Sequence, residues 1–590
     1  MARNKFDQDE TLETPFSFSH LKRAGKYIKR HARRMITALT LSALAAITAL
    51  LGPKIIQYAL DNTIPDKNVP QLILLSAVLL VTIIISVAFT TIRSRLMTRV
   101  GQDVVYDIRK DLFDHLQELS FEYYDDRPHG KILTRIVHYV NNLSDTLSNG
   151  IINFVLEIFN ILFISIFMLA TSPKLSLLVF AGVPVFLLVV ILIKPAQRRS
   201  WQQVSNKSSN MNAYLHESLD GAKITQLFVR EEENKGIFGR LNKNYRDTWM
   251  KAQYIGNLLW VSVDNISVWV TAALYLIGVL VLQPSVSFGL IFAMTTYATR
   301  FWQPILNIAN LYNNFVNSIA YLERIFETMD EPVTVSDAPD AKELPPITGQ
   351  VTFDHVTFSY DGSKNILEDL SFTVNPGESI ALVGPTGAGK TTVVNLISRF
   401  YNLNGGAVRL DGHDISKVTL HSLRSQMGIM LQDSVIFSGT ILDNIKYGRL
   451  DATDEEVRRA CETVCANEFI EQMERGYYTE VNERGSRLSQ GQKQLVAFAR
   501  TLLADPKILI LDEATSSIDA KTERQLQKGL NELLKGRTSF IIAHRLSTIK
   551  NCDRIMYVSN KGITECGTHD ELMAKHGDYY HLYTAQLQDL

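Results

Sequence analysis

The chain has 590 residues, too many for one hydrophobic core, so several domains are expected. Its 60 Lys and Arg balance 61 Asp and Glu, which argues against a nucleic-acid binder, since those usually carry a basic excess. Cys461, Cys465, Cys552 and Cys566 have no His or second Cys pair at zinc spacing, so they read as reduced cytosolic thiols, and a disulfide framework is not expected.

In chain order, the first feature is SHLKRAGKYIKRHARRM, basic with interleaved apolar residues. It predicts an amphipathic segment, within 1–34, lying on the inner face of a membrane. A solvated basic arm is the alternative. Six apolar runs follow, at 35–60, 72–92, 151–170, 175–193, 258–282 and 286–310. Each approaches the roughly 20 residues that a helix needs to cross a bilayer. The first starts too far in to be a cleaved signal peptide, and more spans follow it. The stretch before the first run and the segments 93–150 and 194–257 are rich in Lys and Arg, whereas DNTIPDKNVPQ, TSPK and QPS are poor in them. The positive-inside rule therefore places the N-terminus, both long segments and the C-terminal half in the cytosol of a multi-pass protein of the cell membrane, the inner membrane in a bacterium.

Both long segments read as helical arms that leave the membrane and return. The first should turn at SFEYYDDRPHGKILTRI (120–136), the second at NAYLHESLDGAKITQLF (212–228), and the tips at 123–128 and 212–220 are the candidate docking helices. Glu157, Asp264 and Arg300 lie within apolar runs, where charge is costly and marks function, structural pairing or snorkelling. On the sixth run Tyr297, Phe301, Trp302, Asn307 and Asn310 either line a cavity or pack between helices. A transmembrane domain over 35–330 is thus expected. PVTVSDAPDAKELPPITGQ then reads as a Pro-rich linker, 331–350. Short β-branched strands alternating with helical stretches predict an α/β domain over 351–590.

The chemistry lies in that last domain. ESIALVGPTGAGKTTVVNLI is a strand, a glycine loop and a helix, and matches the phosphate-loop pattern. Gly384, Pro385, Thr386, Gly387, Ala388 and Gly389 form the loop, whose amides and helix dipole suit phosphate. Lys390 should reach the β- and γ-phosphates, Thr391 should ligate magnesium, and Thr392 completes the cradle. KILILDEATS is a buried strand ending in Asp512, placed to hold magnesium through water, and Glu513, placed to polarise an attacking water. RLSQGQKQLVAFAR puts Ser489 and Gly491 at a helix start, a second anion site. One γ-phosphate does not need two such sites, so the second is expected to face nucleotide held by another copy.

The order GPTGAGKT, LSQGQ, LILDEATS, IIAHRLS resembles the ATP-binding cassette (ABC) family. The resemblance implies that Tyr360 stacks on adenine and that Gln432 contacts magnesium and the attacking water. It also implies that Glu483 takes part in interdomain communication, that Asp519 lies in a loop crossing a dimer interface, and that His544 touches the γ-phosphate. Ser489, Gly491 and Gln492 are then the signature positions. The six runs, the arms, FEYYDDRPHGKILTRI and AYLERIFETMDE resemble the exporter branch, and specifically the catalytic-glutamate half of bacterial heterodimeric multidrug exporters. The implied fold is an all-α six-span transmembrane domain followed by an α/β P-loop nucleotide-binding domain, with ATP and Mg2+ as cofactors. The implied function is ATP-hydrolysing export of amphipathic or lipid-like small molecules, such as drugs, by alternating access. An importer, a peptide or lipid transporter, or a non-transport ATPase are the alternatives. The implied partner is a second half-transporter. LSQGQ in place of the more usual LSGGQ favours a heterodimer, with a symmetric pair as the alternative.

Overall fold

In lipid, backbone polar groups must be satisfied within the segment, so apolar runs of this length fold as helices. The computed structural model describes residues 18–125, 127, 129–145, 151–280, 286–430, 434–512, 520–542 and 546–588. Two compact units result, one from Met1–Gln117 and His129–Glu331, the other from Glu118–Pro128 and Pro332–Leu590.

In the first unit, spans and arms are continuous helices. A basic helix α1 (Phe18–Arg30) precedes α2 (Ala32–Tyr58). Helix α3 (Val69–Glu118) has 50 residues, about 75 Å at 1.5 Å per residue. Then come α4 (Ile151–Thr171), α5 (Pro173–Asp220), α6 (Glu231–Leu280) and α7 (Phe288–Met329). Among the described residues, five helices are long and apolar enough to cross a membrane. The run at 286–310 falls in α7, whose upper half packs on α2, α4 and α6. On α3, Ile73, Leu74, Leu80, Ile83 and Ile84 are exposed, as lipid-facing side chains are.

The second arm turns where its sequence predicts. Helix α5 stops at Asp220, Gly221 follows, and a short helix Ala222–Leu227 leads towards α6. The first arm breaks into Phe121–Asp125 and His129–Thr134.

Helices α2 and α7 are joined by polar bonds that an apolar pattern does not reveal. Pro53 lies inside α2 and has no N–H, so the carbonyl of Ala49 loses its helical donor. Arg300 Nη1 donates to that carbonyl at 3.0 Å, and Tyr297 Oη donates to the carbonyl of Leu50 at 2.8 Å. At the outer end Asp61 accepts from the Gly289 N–H at 2.8 Å and from Ser287 Oγ. Gly289 is required there, because a Cβ would lie 2.6 Å from both Asp61 Oδ1 and the Gln57 carbonyl.

Tyr297, Phe301 and Trp302 are buried in the helix core, which decides between the two readings of those aromatics. Trp302 stacks on Phe186 at 5.8 Å between ring centroids, in space left by Gly182. Asn307 does line a cavity, and the side chain of Asn310 lies outside the described residues.

The basic N-terminal stretch finds protein partners. Asp103, Asp107 and Asp111 form one face of α3 at four-residue spacing. Arg34 pairs with Asp103, Arg30 with Asp107 at 3.4 Å, and Tyr27 Oη donates to Asp111 at 2.9 Å. Arg23 pairs with Asp330.

The second unit has a four-stranded antiparallel sheet of β1 (Val351–Phe358), β2 (Leu367–Val374), β4 (Gly405–Leu410) and β5 (His413–Asp414), in the order β2-β1-β4-β5. A six-stranded sheet uses β3 (Ser379–Val383), β6 (Met427–Met430), β9 (Ile508–Asp512), β10 (Thr538–Ile542), β11 (Arg554–Ser559) and β12 (Gly562–Gly567). Its order is β12-β11-β3-β10-β9-β6, parallel except for the β12 edge. The small ladder β7 (Gly439–Thr440) and β8 (Glu480–Val481) lies apart.

The segment 332–350 is no free tether. Asn402 Nδ2 donates to the Thr334 carbonyl, and Arg399 Nη2 to that of Ser336 at 2.9 Å. Asp337 accepts the Leu420 N–H, and Asp411 accepts the N–H groups of Thr348, Gly349 and Gln350. Its prolines remove amide donors, and side chains of the unit accept from the amides of Leu344, Ile347, Thr348, Gly349 and Gln350.

Gly182→Leu should force Trp302 and Val270 apart and cost about 1–3 kcal/mol. A thermal unfolding scan of the detergent-solubilised protein should show a lowered midpoint. Gly25→Ala, where a Cβ would meet nothing within 4 Å, should leave it unchanged.

Candidate nucleotide site and the first arm tip

The parallel strand β3, buried from Ile380 on, delivers the loop 384–389 to helix α8 (Lys390–Ile397). The loop's shape depends on glycine. Gly384 has φ +141 and a Cβ there would lie 2.3 Å from the Val558 carbonyl oxygen. Gly389, at φ +104, caps α8 in the left-handed region and leaves its first N–H groups facing the loop. Lys390 Nζ donates to the carbonyls of Gly384 at 2.8 Å and Pro385 at 2.9 Å, which folds the ammonium back over the loop. Burial pulls the Lys390 pKa down, and the negative charge of Asp512 acts against that. Lys390 is therefore within electrostatic reach of the end of β9. Pro385, Thr386, Gly387 and Thr391 are exposed, Ala388 is half-buried and Thr392 is buried.

Tyr360 is exposed on one side. Phe358 and Tyr401 meet its ring edge-on, at 4.9 Å and 5.0 Å between centroids. Its hydroxyl is 3.0 Å from Thr392 Oγ1, which ties the ring to the helix that begins with Lys390. Asp512 ends β9 in register with Ile542 at the end of β10. The strands that precede Glu513 and His544 thus finish side by side. Glu513, Gln432, Asp519 and His544 themselves lie outside the described residues, as does the side chain of Glu483.

Helix α9 (Gln490–Ala504) starts at Ser489, whose Oγ accepts the Gln492 N–H at 3.3 Å while Gln492 Oε1 accepts the Ser489 N–H at 2.9 Å. This reciprocal capping box holds the serine hydroxyl at the positive end of the helix dipole. Gln490 is exposed and Gly491 buried.

The first arm tip, 123–128, is a docking candidate by sequence, and the side chains that it meets are what the sequence did not name. Residues 118–128, from the first arm, fold with the nucleotide unit. Phe121 packs on Phe400 at 4.8 Å between ring centroids, and Tyr401 Oη donates to Asp125 Oδ2 at 2.5 Å. Thr334 Oγ1 donates to Ser120 Oγ at 2.7 Å. Burial and the Asp125 hydrogen bond push the Tyr401 phenol well above its ordinary range, so it remains a donor at any physiological pH. Tyr401 therefore touches both the aromatic Tyr360 and the arm tip. The motif FYN after a phosphate-loop helix offers no local signal for that contact.

A helical membrane unit joined to a P-loop α/β unit defines an ATPase that acts on a membrane pathway. Residues 35–305 match the model of the ABC transporter transmembrane region, and residues 367–516 match the ABC transporter model. The uncharacterized ABC transporter ATP-binding protein YknV of Bacillus subtilis is 40% identical over 99% of this chain and 98% of its own length. The fatty acid ABC transporter ATP-binding/permease protein of Mycobacterium bovis is 36% identical over 84% of this chain and 78% of its own. The structure of a bacterial Atm1-family ABC exporter with ATP bound superposes with a TM-score of 0.78 at 29% identity, over 94% of this chain and 98% of that one. The chain belongs to the ABC transporter family. It is a multi-pass membrane protein with a cytosolic ATP-binding unit, an ATPase coupled to transport.

Gly384→Ala should lower the affinity for a fluorescent ATP analogue by about tenfold or more, since the clash is with backbone and the φ is left-handed. Gly362→Ala, with φ +73 but open space around it, should leave that titration unchanged. Tyr401→Phe keeps the ring and loses the charge-assisted bond to Asp125. Nucleotide affinity should stay near wild type, while transport per ATP hydrolysed falls by about tenfold. An unchanged ratio in proteoliposomes would remove Tyr401 from the coupling path.

Proposed function

We propose that this chain is one half of an exporter that moves amphipathic or lipid-like small molecules out of the cytosol, driven by ATP bound between two cassettes. The observation that carries this reading is the arm tip 118–128 seated on the nucleotide unit through Phe121–Phe400 and Asp125–Tyr401. Movement of the cassette must then move helix α3. In this reading Tyr360 stacks on adenine and the loop 384–389 wraps the phosphates. Lys390 leaves its loop carbonyls for the β- and γ-phosphates. Thr391, Gln432 and Asp512 hold Mg2+, Glu513 polarises water, and His544 senses the γ-phosphate. Ser489, Gly491 and Gln492 of one chain close on the nucleotide of the other, with Asp519 beside the interface. ATP favours the closed pair, and hydrolysis releases it.

The second arm tip supports a two-chain assembly. Leu219, Ile224, Leu227, Phe228 and Val229 are all exposed there, and Val229 is 80% exposed. Such a cytosolic apolar patch calls for a partner, and we assign it to the nucleotide unit of the second chain. Gln490, exposed at the start of α9, adds bulk where a nucleotide would be clamped, which favours a partner chain different from this one. The cargo class draws on the family resemblance and on the fatty acid transporter among its relatives.

Glu513→Gln should preserve ATP binding and cut hydrolysis by about 100-fold or more. Inside-out vesicles should then lose ATP-dependent accumulation of cargo. Accumulation at the wild-type rate would overturn the mechanism, and ATP-dependent depletion by the wild type would make the protein an importer. Native mass spectrometry of the complex purified from its own cells should find a second, different ABC chain; a homodimer mass would overturn the heterodimer.

A further inference from the structure

Two cavities meet inside the membrane unit, and they differ in chemistry. The larger, about 340 Å³, lies between α2, α3 and α7 and is lined by side chains that include Ile56, Leu79, Ile83, Val87 and Phe292. Its hydroxyls do not make it polar. Thr48, Thr82, Ser86 and Thr296 donate to the carbonyls of Leu44, Leu79, Ala45 and Phe292. Among the described residues, the one charged side chain on its wall is Arg300. The smaller cavity, about 310 Å³, lies between α2, α4 and α7 and is lined by Glu157, Asn160, Gln303 and Asn307 as well as Arg300. Ala49 and Arg300 form the wall that both share.

The two charges in the smaller cavity do not pair. Glu157 accepts from Asn307 Nδ2 at 2.7 Å and from Asn160 Nδ2 at 3.1 Å, so neutral amides hold both its oxygens. Among the described residues, Arg300 makes one hydrogen bond, to the Ala49 carbonyl that Pro53 leaves without a helical donor. A guanidinium has five N–H donors, so most of its hydrogen-bonding capacity remains beside the apolar cavity. Asp264, the third charge in the apolar runs, is exposed on α6 and lines neither cavity.

We propose that these cavities form a binding site for a single-chain amphiphile with an anionic head, an acyl carboxylate being the simplest. Arg300 takes the head and the larger cavity takes the tail. An apolar pocket of this size with one convergent charge is the usual form of a small-molecule site, and the sign of the charge selects the head. Glu157 repels the anion from the smaller cavity, which fixes the polarity of binding: head at the shared wall, tail towards α3. An alkylammonium of the same chain would be drawn to Glu157 instead. The proposal deepens the export reading above and rests on it for the fate of the ligand.

The test is equilibrium binding of radiolabelled myristate and tetradecylammonium to the full nucleotide-free protein, purified with any partner chain, in a neutral maltoside detergent. Saturable myristate binding is expected, weaker by about tenfold in Arg300→Gln and retained in Arg300→Lys. Gln can still donate to the Ala49 carbonyl, so a merely structural arginine would make the two variants alike. Thr82→Phe, which fills the larger cavity without touching Arg300, should weaken myristate more than hexanoate. Tetradecylammonium binding should not weaken in Arg300→Gln, since the lost charge repels an ammonium. Absence of saturable myristate binding, its indifference to Arg300→Gln, or a preference for tetradecylammonium that Glu157→Gln abolishes would overturn the site. Myristate binding that meets these expectations without ATP-driven movement would leave the site standing and overturn the export reading.

Discussion

The helix that follows the phosphate loop ends at Ile397, and the residues Arg399 to Asn402 then hold three things at once. Phe400 and Tyr401 grip the first arm tip through Phe121 and Asp125. Arg399 and Asn402 grip the strap that leads down from α7, at Ser336 and Thr334. Tyr401 also braces Tyr360. A displacement of α8 cannot spare any of these. The turn is costly to make: Arg399 is a buried arginine at φ +49, a conformation that disfavours most side chains by about 1–2 kcal/mol. Burial lowers its pKa, and its guanidinium is held by backbone carbonyls. Arg424 closes the turn by donating to the carbonyls of Ser398 and Arg399. Strain of this kind persists only where the surroundings over-determine it.

The membrane unit is organised by a defect in the same spirit. Pro53 frees a carbonyl in a region where water is scarce, and an unpaired carbonyl there costs several kcal/mol. Arg300 supplies the donor, and Tyr297, three residues before it on α7, donates to the next carbonyl, that of Leu50. The bonds join α2 to α7 and bring the guanidinium into the wall between two cavities. A charge that looks isolated along its own helix is thus explained by a proline on another. The same interaction leaves most of the guanidinium directed at whatever occupies those cavities.

The capping box at α9 separates two uses of one serine. Ser489 Oγ accepts the Gln492 N–H, and a hydroxyl that accepts one bond keeps its own proton and a second lone pair for another partner. The capping geometry that stabilises the helix end therefore also fixes where this hydroxyl sits. The acidic ladder of α3 divides its labour in another way. Asp103, Asp107 and Asp111 take up Arg34, Arg30 and Tyr27, so the N-terminal basic stretch is attached to the arm as well as to any membrane surface.

The sequence by itself determined which segments enter lipid, where the second arm turns, and the strand, glycine loop and helix of the phosphate-loop motif. Each of these is a local property: apolar length, a Gly beside Asp220, positive-φ glycines between β3 and α8. The placements of Asp512 at a strand end and Ser489 at a helix start belong to the same class, since each needs only the element it borders. Only the tertiary structure decided that Tyr297, Phe301 and Trp302 pack rather than line a cavity, because that depends on Gly182 of another helix. It decided that 332–350 is clamped along its length and that Tyr401 meets Asp125, a residue 276 positions away. It separated Arg300 and Glu157, which share a cavity, from Asp264, which does not. Hydropathy records how much a residue prefers lipid, and a motif records how one loop bends. Neither records which side chain from a distant helix arrives at an unsatisfied carbonyl, and such pairings set the coupling and the cavities here.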